Sequence, residues 1–212
     1  INEEAMRLSH KTIKNIYYLL TPVLKVFRPG FHPTITLPPK VKVEFKIPTE
    51  EEIRQIFPYV KGTVMELPFL LASQLGLREG EIAALQPHCV NRAERQIIVK
   101  QDMVRDENGQ LVLKTPKTYA GFRTLNCDAY IINLIDPDLE PDAFIVGMSP
   151  NAISQRWVHV LKRANIPHFK FHALRHYFAS QALLQGIPQK YIAEMMGHSS
   201  TDFLDKIYQH TY

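Results

Sequence analysis

Apolar residues recur at spacings of three and four near the start of the chain: Ile13, Ile16, Tyr17, Leu20, Val23, Leu24 and Phe27 fall on one helical face. The spacing predicts a helix within 3–27, with Ser9 as N-cap and Pro22 as a point of bending or splitting. Pro29, Pro33, Pro38 and Pro39 then interrupt any period, so 28–46 reads as an extended linker and a domain boundary falls near residue 45. Helical signals resume at Thr49, a capping residue followed by Glu50, Glu51 and Glu52, acids that suit the positive end of a helix.

Helices are predicted at 49–57, 63–75 and 79–85. The pattern then turns strand-like at 96–104 and 110–115, joined by Asp106-Glu107-Asn108-Gly109, a hairpin turn. A third strand at 121–126 would complete a small three-stranded antiparallel sheet. Helices follow at 128–134, 150–163, 172–184, 188–196 and 200–208, with Pro188 suited to a first turn and Gly186 and Gly197 to helix ends. Helices, a small sheet, then helices again make a mainly α-helical α+β domain. There is no internal repeat.

Composition narrows the class. With 45% hydrophobic residues in 212, the chain can build one well-packed domain plus an appendage. No apolar run approaches the ~18 residues of a membrane span, and no signal peptide is visible. Cys89 and Cys127 lack metal-ligand spacing and read as reduced thiols of a cytosolic protein. The chain begins at Ile1 inside a helical pattern, without a methionine, and so reads as a fragment. The net charge of +4 is modest, but its placement is informative. From Asn151 to Tyr212, seven Lys and Arg stand against three Asp and Glu, and six of the nine histidines lie there.

Four segments carry candidate chemistry. His168, His172 and His176 are spaced four apart, which resembles metal-ligand spacing on a helix. Arg175 within the cluster would repel a dication, so His172 and Arg175 read better as an anion-binding pair. Tyr208 follows the Gly197-His198-Ser199 turn; a phenol of pKa about 10 is a weak nucleophile and needs a cationic pocket. Arg78 stands just before a helix with Glu81 three residues on: either a helix-start ion pair or a fork for a phosphate. Lys114 and Lys117 lie at a turn between strands, where a lysine is either solvated or able to protonate a leaving oxygen.

Taken in order, these segments resemble the catalytic domain of the tyrosine recombinases, the phage integrase family. The motifs are Gly76-Leu77-Arg78 with Glu81; Lys117-Thr118 ahead of Arg123-Thr124-Leu125; His172-Ala173-Leu174-Arg175; Gly197-His198-Ser199; and Ile207-Tyr208-Gln209-His210. The resemblance implies a catalytic domain over 46–212 and, over 1–45, the end of a helical core-binding domain plus linker. It implies that Tyr208 attacks a DNA phosphate to form a 3′-phosphotyrosine. Arg78, Arg175 and His198 would hold the phosphate oxygens, and Lys117, in preference to Lys114, would protonate the leaving oxygen. His172 would take the tyrosine proton or position the phosphate, with Glu81 in support. Lys114, Arg123, Lys162, Arg163, Lys170 and Lys190 are expected to contact DNA. No metal or other cofactor is expected. The expected partners are double-stranded DNA, further copies forming a tetramer on it, and an excisionase or accessory DNA-bending protein, in a bacterial cytoplasm at the nucleoid, with no membrane association. The competing readings are a catalytically inactive DNA-binding remnant of the same fold and a zinc hydrolase built on His168, His172 and His176.

Overall fold

The computed structural model describes residues 7–39, 46–116, 119–202, 204, 205 and 207. Lys117 and Tyr208 lie outside the described residues. The chain divides into two compact units, Ile1–Phe45 and Lys46–Tyr212.

The first unit is built on α1 (His10–Phe27). The Ser9 side chain accepts from the Thr12 N–H at 3.2 Å, as an N-cap does. Pro22 lies inside α1 without ending it. The proline-rich stretch returns along the helix: His10 Nδ1 lies 2.6 Å from the Pro38 carbonyl oxygen, and the Tyr17 hydroxyl donates to the Pro33 carbonyl at 3.3 Å.

In the second unit, α2 (Glu50–Val60) opens with a full capping box, Thr49 and Glu52 each closing on the other's backbone N–H. α3 (Glu66–Leu75) is almost wholly buried and packs on α7 (Ala173–Leu184). The short α4 (Glu79–Ala83), α5 (Ala129–Asn133), α6 (Pro150–Arg163) and α8 (Gln189–Met196) are the other α-helices of this unit up to Met196. Asp202, Leu204, Asp205 and Ile207 are also helical, and Leu204 and Ile207 are buried. The core centres on Trp157 of α6, which stacks on Phe69 at 6.0 Å and meets Phe169 and Phe171 edge-on at 5.6 and 5.5 Å. Its indole N–H donates to the Phe169 carbonyl at 3.1 Å. Truncating such a buried aromatic to alanine costs about 3–5 kcal/mol.

The α+β class holds, but the three-stranded sheet is assembled from other strands than the pattern predicts. It consists of β1 (Val90–Asn91), β2 (Gln96–Val99) and β5 (Arg123–Asn126), all antiparallel, with Ile97 opposite Leu125 and Val99 opposite Arg123. β3 (Asp102–Arg105) and β4 (Leu111–Lys114) form a separate two-stranded hairpin closed by Asp106–Gly109. The apolar run at 96–104 therefore breaks at Lys100 and Gln101. Gln101 turns its amide onto the Ala84 carbonyl and the Gln86 side chain, at 2.7 and 2.8 Å. That diversion lets β3 leave the sheet and lie against α4.

Candidate active site

α3 ends at Gly76, and three residues later α4 begins, with Arg78 as its N-cap residue in an extended conformation. This places Glu81 one turn above Arg78. The Glu81 carboxylate accepts the Arg78 backbone N–H at 2.8 Å and its Nη1 at 2.7 Å. The arginine expected to face a phosphate is thus held by its own helix, yet its side chain remains 32% exposed while that of Glu81 is 5% exposed.

α7 supplies the next two groups. Arg175 points inward and is 1% exposed. Its Nη1 donates to the Gly76 carbonyl and its Nη2 to the Met196 carbonyl, so it ties the end of α3 to the end of α8. Nη1 also lies 3.9 Å from Glu81. Arg175 Nε is buried and has no hydrogen-bond partner among the described residues; a buried, unmatched guanidinium donor costs stability unless an acceptor reaches it. His172, the residue before α7, meets His176 edge to face at 4.9 Å. His168 stands apart, exposed on the non-helical stretch before α7, so the spacing of four does not place it on the face of the other two.

The third contribution is the end of α8. Gly197 adopts φ +66°, and the His198 N–H returns to the Ala193 carbonyl at 2.9 Å. Glycine suits this position twice over, for the left-handed backbone and because a Cβ would fall 2.8 Å from Arg123 Nη1 and push it aside. Arg78 Nη2 reaches the Gly197 carbonyl at 3.4 Å. Arg78, Arg175 and His198 therefore converge where α8 ends.

Arg123, which the sequence reading assigns to DNA, faces the interior of the domain. Its side chain is 6% exposed and turned inward. Nη1 and Nη2 clamp the two oxygens of Glu81 at 3.0 and 2.8 Å, Nε donates to the Met195 carbonyl at 2.6 Å, and Nη1 also reaches the Gly121 carbonyl at 3.3 Å. The alternation of β5 carries the signal that identifies it: Arg123 and the buried Leu125 share one face, and Thr124 and Asn126 the other. Asp102 also belongs to the surroundings. Its Oδ1 lies against Gly80, and its pKa is raised by burial and then by the charge of Glu81.

Lys114 is exposed at the end of β4, opposite Asp102 in the hairpin. Lys162, Arg163, Lys170 and Lys190 are exposed too, and the charge of Lys170 reaches His172. Lys162 and Arg163 occupy the last turn of α6, where cations suit the negative helix end, and the Arg163 guanidinium lies over Tyr59 at 5.9 Å. No three His, Cys, Asp or Glu among the described residues are grouped to hold a metal ion. Among them, no helix is long and apolar enough to cross a membrane.

The electrostatics of the cluster follow from burial working against charge. Burial alone would raise the pKa of Glu81, but the Arg123 hydrogen bonds and the charges of Arg123, Arg78 and Arg175 outweigh it and bring it to about 2. Glu81 is a fixed anion among three guanidinium groups. His172 and His198 are each lowered to about 4, first by burial and then by Arg175 and Arg78. His176 falls to about 3, through burial and then the charges of His172, Arg175 and His198. At neutral pH all three imidazoles are uncharged, each able to donate or accept one proton.

Known proteins resemble the chain in sequence and in fold. A protein of Caldanaerobacter subterraneus subsp. tengcongensis described as tyrosine recombinase XerC-like is 29% identical over 205 residues, covering 81% of this chain and 52% of that protein. The chain thus spans about half the length of that curated relative. Among solved structures, the Tn1549 transposon integrase in complex with circular intermediate DNA superposes with a TM-score of 0.80 at 20% identity, over 97% of this chain and 79% of that one. A lambda integrase dimer bound to a core site gives 0.62 at 16% identity, over 97% and 85%. The catalytic domain of bacteriophage HP1 integrase gives 0.59 at 17% identity, over 78% and 88%. These likenesses are of fold. The family profile that matches residues 47–212 is that of the phage integrase family, and the chain belongs to that family.

Proposed function

We propose that this chain carries the strand-breaking and rejoining chemistry of a site-specific tyrosine recombinase, which integrates or excises a phage or other mobile element. The observation that carries the reading is the convergence of Arg78, Arg175 and the His198 turn where α8 ends, held together through one buried carboxylate. Guanidinium donors match phosphate oxygens: the Arg78 side chain is partly exposed, and Arg175 keeps an unmatched Nε donor. In a phosphorane-like transition state these oxygens gain negative charge, which donors fixed in advance stabilise most.

The Tyr208 hydroxyl attacks the scissile phosphorus, the P–O bond to the 5′-oxygen breaks, and a 3′-phosphotyrosine and a free 5′-hydroxyl result. Lys117 donates the proton to the leaving oxygen. His172, neutral at physiological pH, accepts the phenolic proton as the new bond forms; the arriving phosphate favours its protonated form and so raises its basicity when DNA is bound. Attack of another 5′-hydroxyl reverses the steps and joins new strands, with the bond energy conserved in the tyrosyl ester. Double-stranded DNA is the substrate, a tetramer on DNA is the working assembly, and an excisionase or DNA-bending protein is an accessory partner. Lys114, Lys162, Arg163, Lys170 and Lys190 contact non-scissile phosphates and make affinity salt-dependent.

The test is covalent capture. The chain is mixed with a pool of randomised duplexes nicked beside the scissile position, so that the short 5′-hydroxyl strand diffuses away, and DNA that stays attached in detergent is recovered and sequenced. The wild-type chain is expected to yield adducts and Tyr208→Phe none, while both bind DNA. Adducts with the Phe variant would remove Tyr208 as nucleophile. Binding without adducts by the wild-type chain would favour the inactive DNA-binding remnant.

A further inference from the structure

We infer that Arg123 is a positioning residue: it makes no contact with DNA and instead fixes Glu81 to the end of α8, so that Arg78 and His198 keep one separation across the phosphate site. The inference rests on the reading that Arg78 and His198 engage that phosphate. Its geometric basis is independent of that reading.

Arg123 joins three elements through one side chain. It lies on β5, grips Glu81 on α4 with both terminal nitrogens, and donates Nε to Met195 near the end of α8. The same Glu81 oxygens hold the backbone and side chain of Arg78. The turn that carries His198 lies directly on the Arg123 guanidinium, so that a Cβ on Gly197 would displace it. Any change in Arg123 therefore reaches Arg78 through Glu81 and His198 through the α8 end. Only arginine has the fork for this: two parallel bonds to a carboxylate and a third donor along the stem. A lysine keeps the charge but reaches one acceptor at a time. The neighbouring charges agree with this placement. Arg175, Arg78, Arg123 and His172 all act on His198, and Arg175, Arg78, Glu81 and Lys170 are the main charges acting on His172.

The experiment compares the whole chain with Arg123→Gln and Arg123→Lys in two ways. The first uses a duplex recovered by the capture above, carrying either the scissile phosphodiester or a methylphosphonate there, which has one oxygen charge fewer. If Arg123 serves the cations that face this charge, Arg123→Gln binds DNA with unchanged affinity and salt dependence. It cleaves the phosphodiester on the order of 100-fold more slowly and recovers most of that loss on the methylphosphonate, with Arg123→Lys intermediate. Weaker binding with a salt slope reduced by about one would make Arg123 a phosphate contact and overturn the inference. An equal loss on both substrates would reduce it to a merely structural role.

The second measurement needs no activity: imidazole titration by NMR in the free protein. Arg123→Gln is expected to raise the His198 titration, because one of the cations that holds it down is removed. An unmoved His198 overturns the inference even if cleavage is slow. If the wild-type chain forms no adduct with any duplex, the proposed chemistry fails, and the titration alone decides the role of Arg123.

Discussion

Glu79 and Glu81 stand two residues apart on α4, and each is withdrawn from solvent on a different face. Toward α6, Glu79 accepts a hydrogen bond from the Ser154 hydroxyl; burial raises its pKa above the ordinary 4.5, and that one neutral donor does not offset it. Toward β5, α7 and α8, Glu81 is more deeply buried yet has a pKa of about 2, because Arg123, Arg78 and Arg175 surround it. The desolvation cost has the same sign on both faces, so the partner set decides the outcome. One face holds a group that protonates readily and links two helices. The other holds a permanent anion around which three cations are arranged, and only that face has the charge pattern of an oxyanion site.

The largest effect expected from breaking this contrast is at Glu81. Glu81→Gln leaves Arg78, Arg123 and Arg175 clustered without their counterion, and removal of one partner from a buried charge network costs about 3–5 kcal/mol. Urea unfolding should show this loss. A change under about 1 kcal/mol would mean that water or another anion neutralises the cluster instead. Next is Gly80, the residue between the two acids. A Cβ there would lie 1.8 Å from Asp102 Oδ1 and 2.8 Å from the Met103 carbonyl oxygen. The Asp102 side chain can swing away, but the Met103 backbone must shift, carrying the β3–β4 hairpin with it. Gly80→Ala is expected to destabilise by about 1–3 kcal/mol through overpacking, although alanine is the better helix former by about 1 kcal/mol. A more stable variant in the same urea assay would show that α4 and β3 are not in firm contact.

The Glu79 and Glu81 contrast is only half legible in the sequence, and the reason is range. Local signals carry far. The helix predicted at 150–163 matches the observed span of α6, which the structure shows capped by Ser149 with Pro150 in its first turn. Asp106–Gly109 closes the hairpin as its turn residues require, with Asp106 Oδ1 accepting the Asn108 and Gln110 N–H groups. Arg78 and Glu81 are three apart on a helix start, so their pairing is also readable. The arrival of Arg123 is not. It depends on β5 pairing with β2 rather than with the hairpin, a non-local choice set by the diversion of Gln101. The exposed and isolated position of His168 likewise depends on where α7 begins, which spacing alone does not give.

Acid separates two contributions to stability. His172, His176 and His198 have folded pKa values of about 4, 3 and 4 against an ordinary 6.5. Between 6.5 and those values the unfolded chain binds protons that the folded one does not, so stability falls as the pH drops through that window. Glu81, lowered from 4.5 to about 2, adds stability that is complete above 4.5 and is lost as the pH falls toward 2. Thermal melts across pH are expected to show a decline beginning near 6.5 that continues below 4.5. In Glu81→Gln the lower part should flatten and the upper part remain. A wild-type profile level between 6.5 and 4.5 would place the imidazoles in water.

The smallest effect is at Glu79, and its sign is opposite. A raised folded pKa means that the folded state holds its proton longer than the unfolded one. The stability it adds is present at and below the ordinary 4.5 and is lost as the pH rises through the raised value. At neutral pH the buried Glu79 anion is therefore a small liability, partly relieved by Ser154. Glu79→Gln keeps an acceptor for that hydroxyl and removes the charge. It is expected to leave stability at neutral pH unchanged or raised by less than about 1 kcal/mol, the size of one hydrogen bond or less. It should remove a rise toward acid pH rather than a fall. Matched urea titrations at neutral and acid pH read both numbers. A loss at neutral pH comparable to that of Glu81→Gln would show that both faces of α4 depend on a fixed anion, and the contrast between them would not stand.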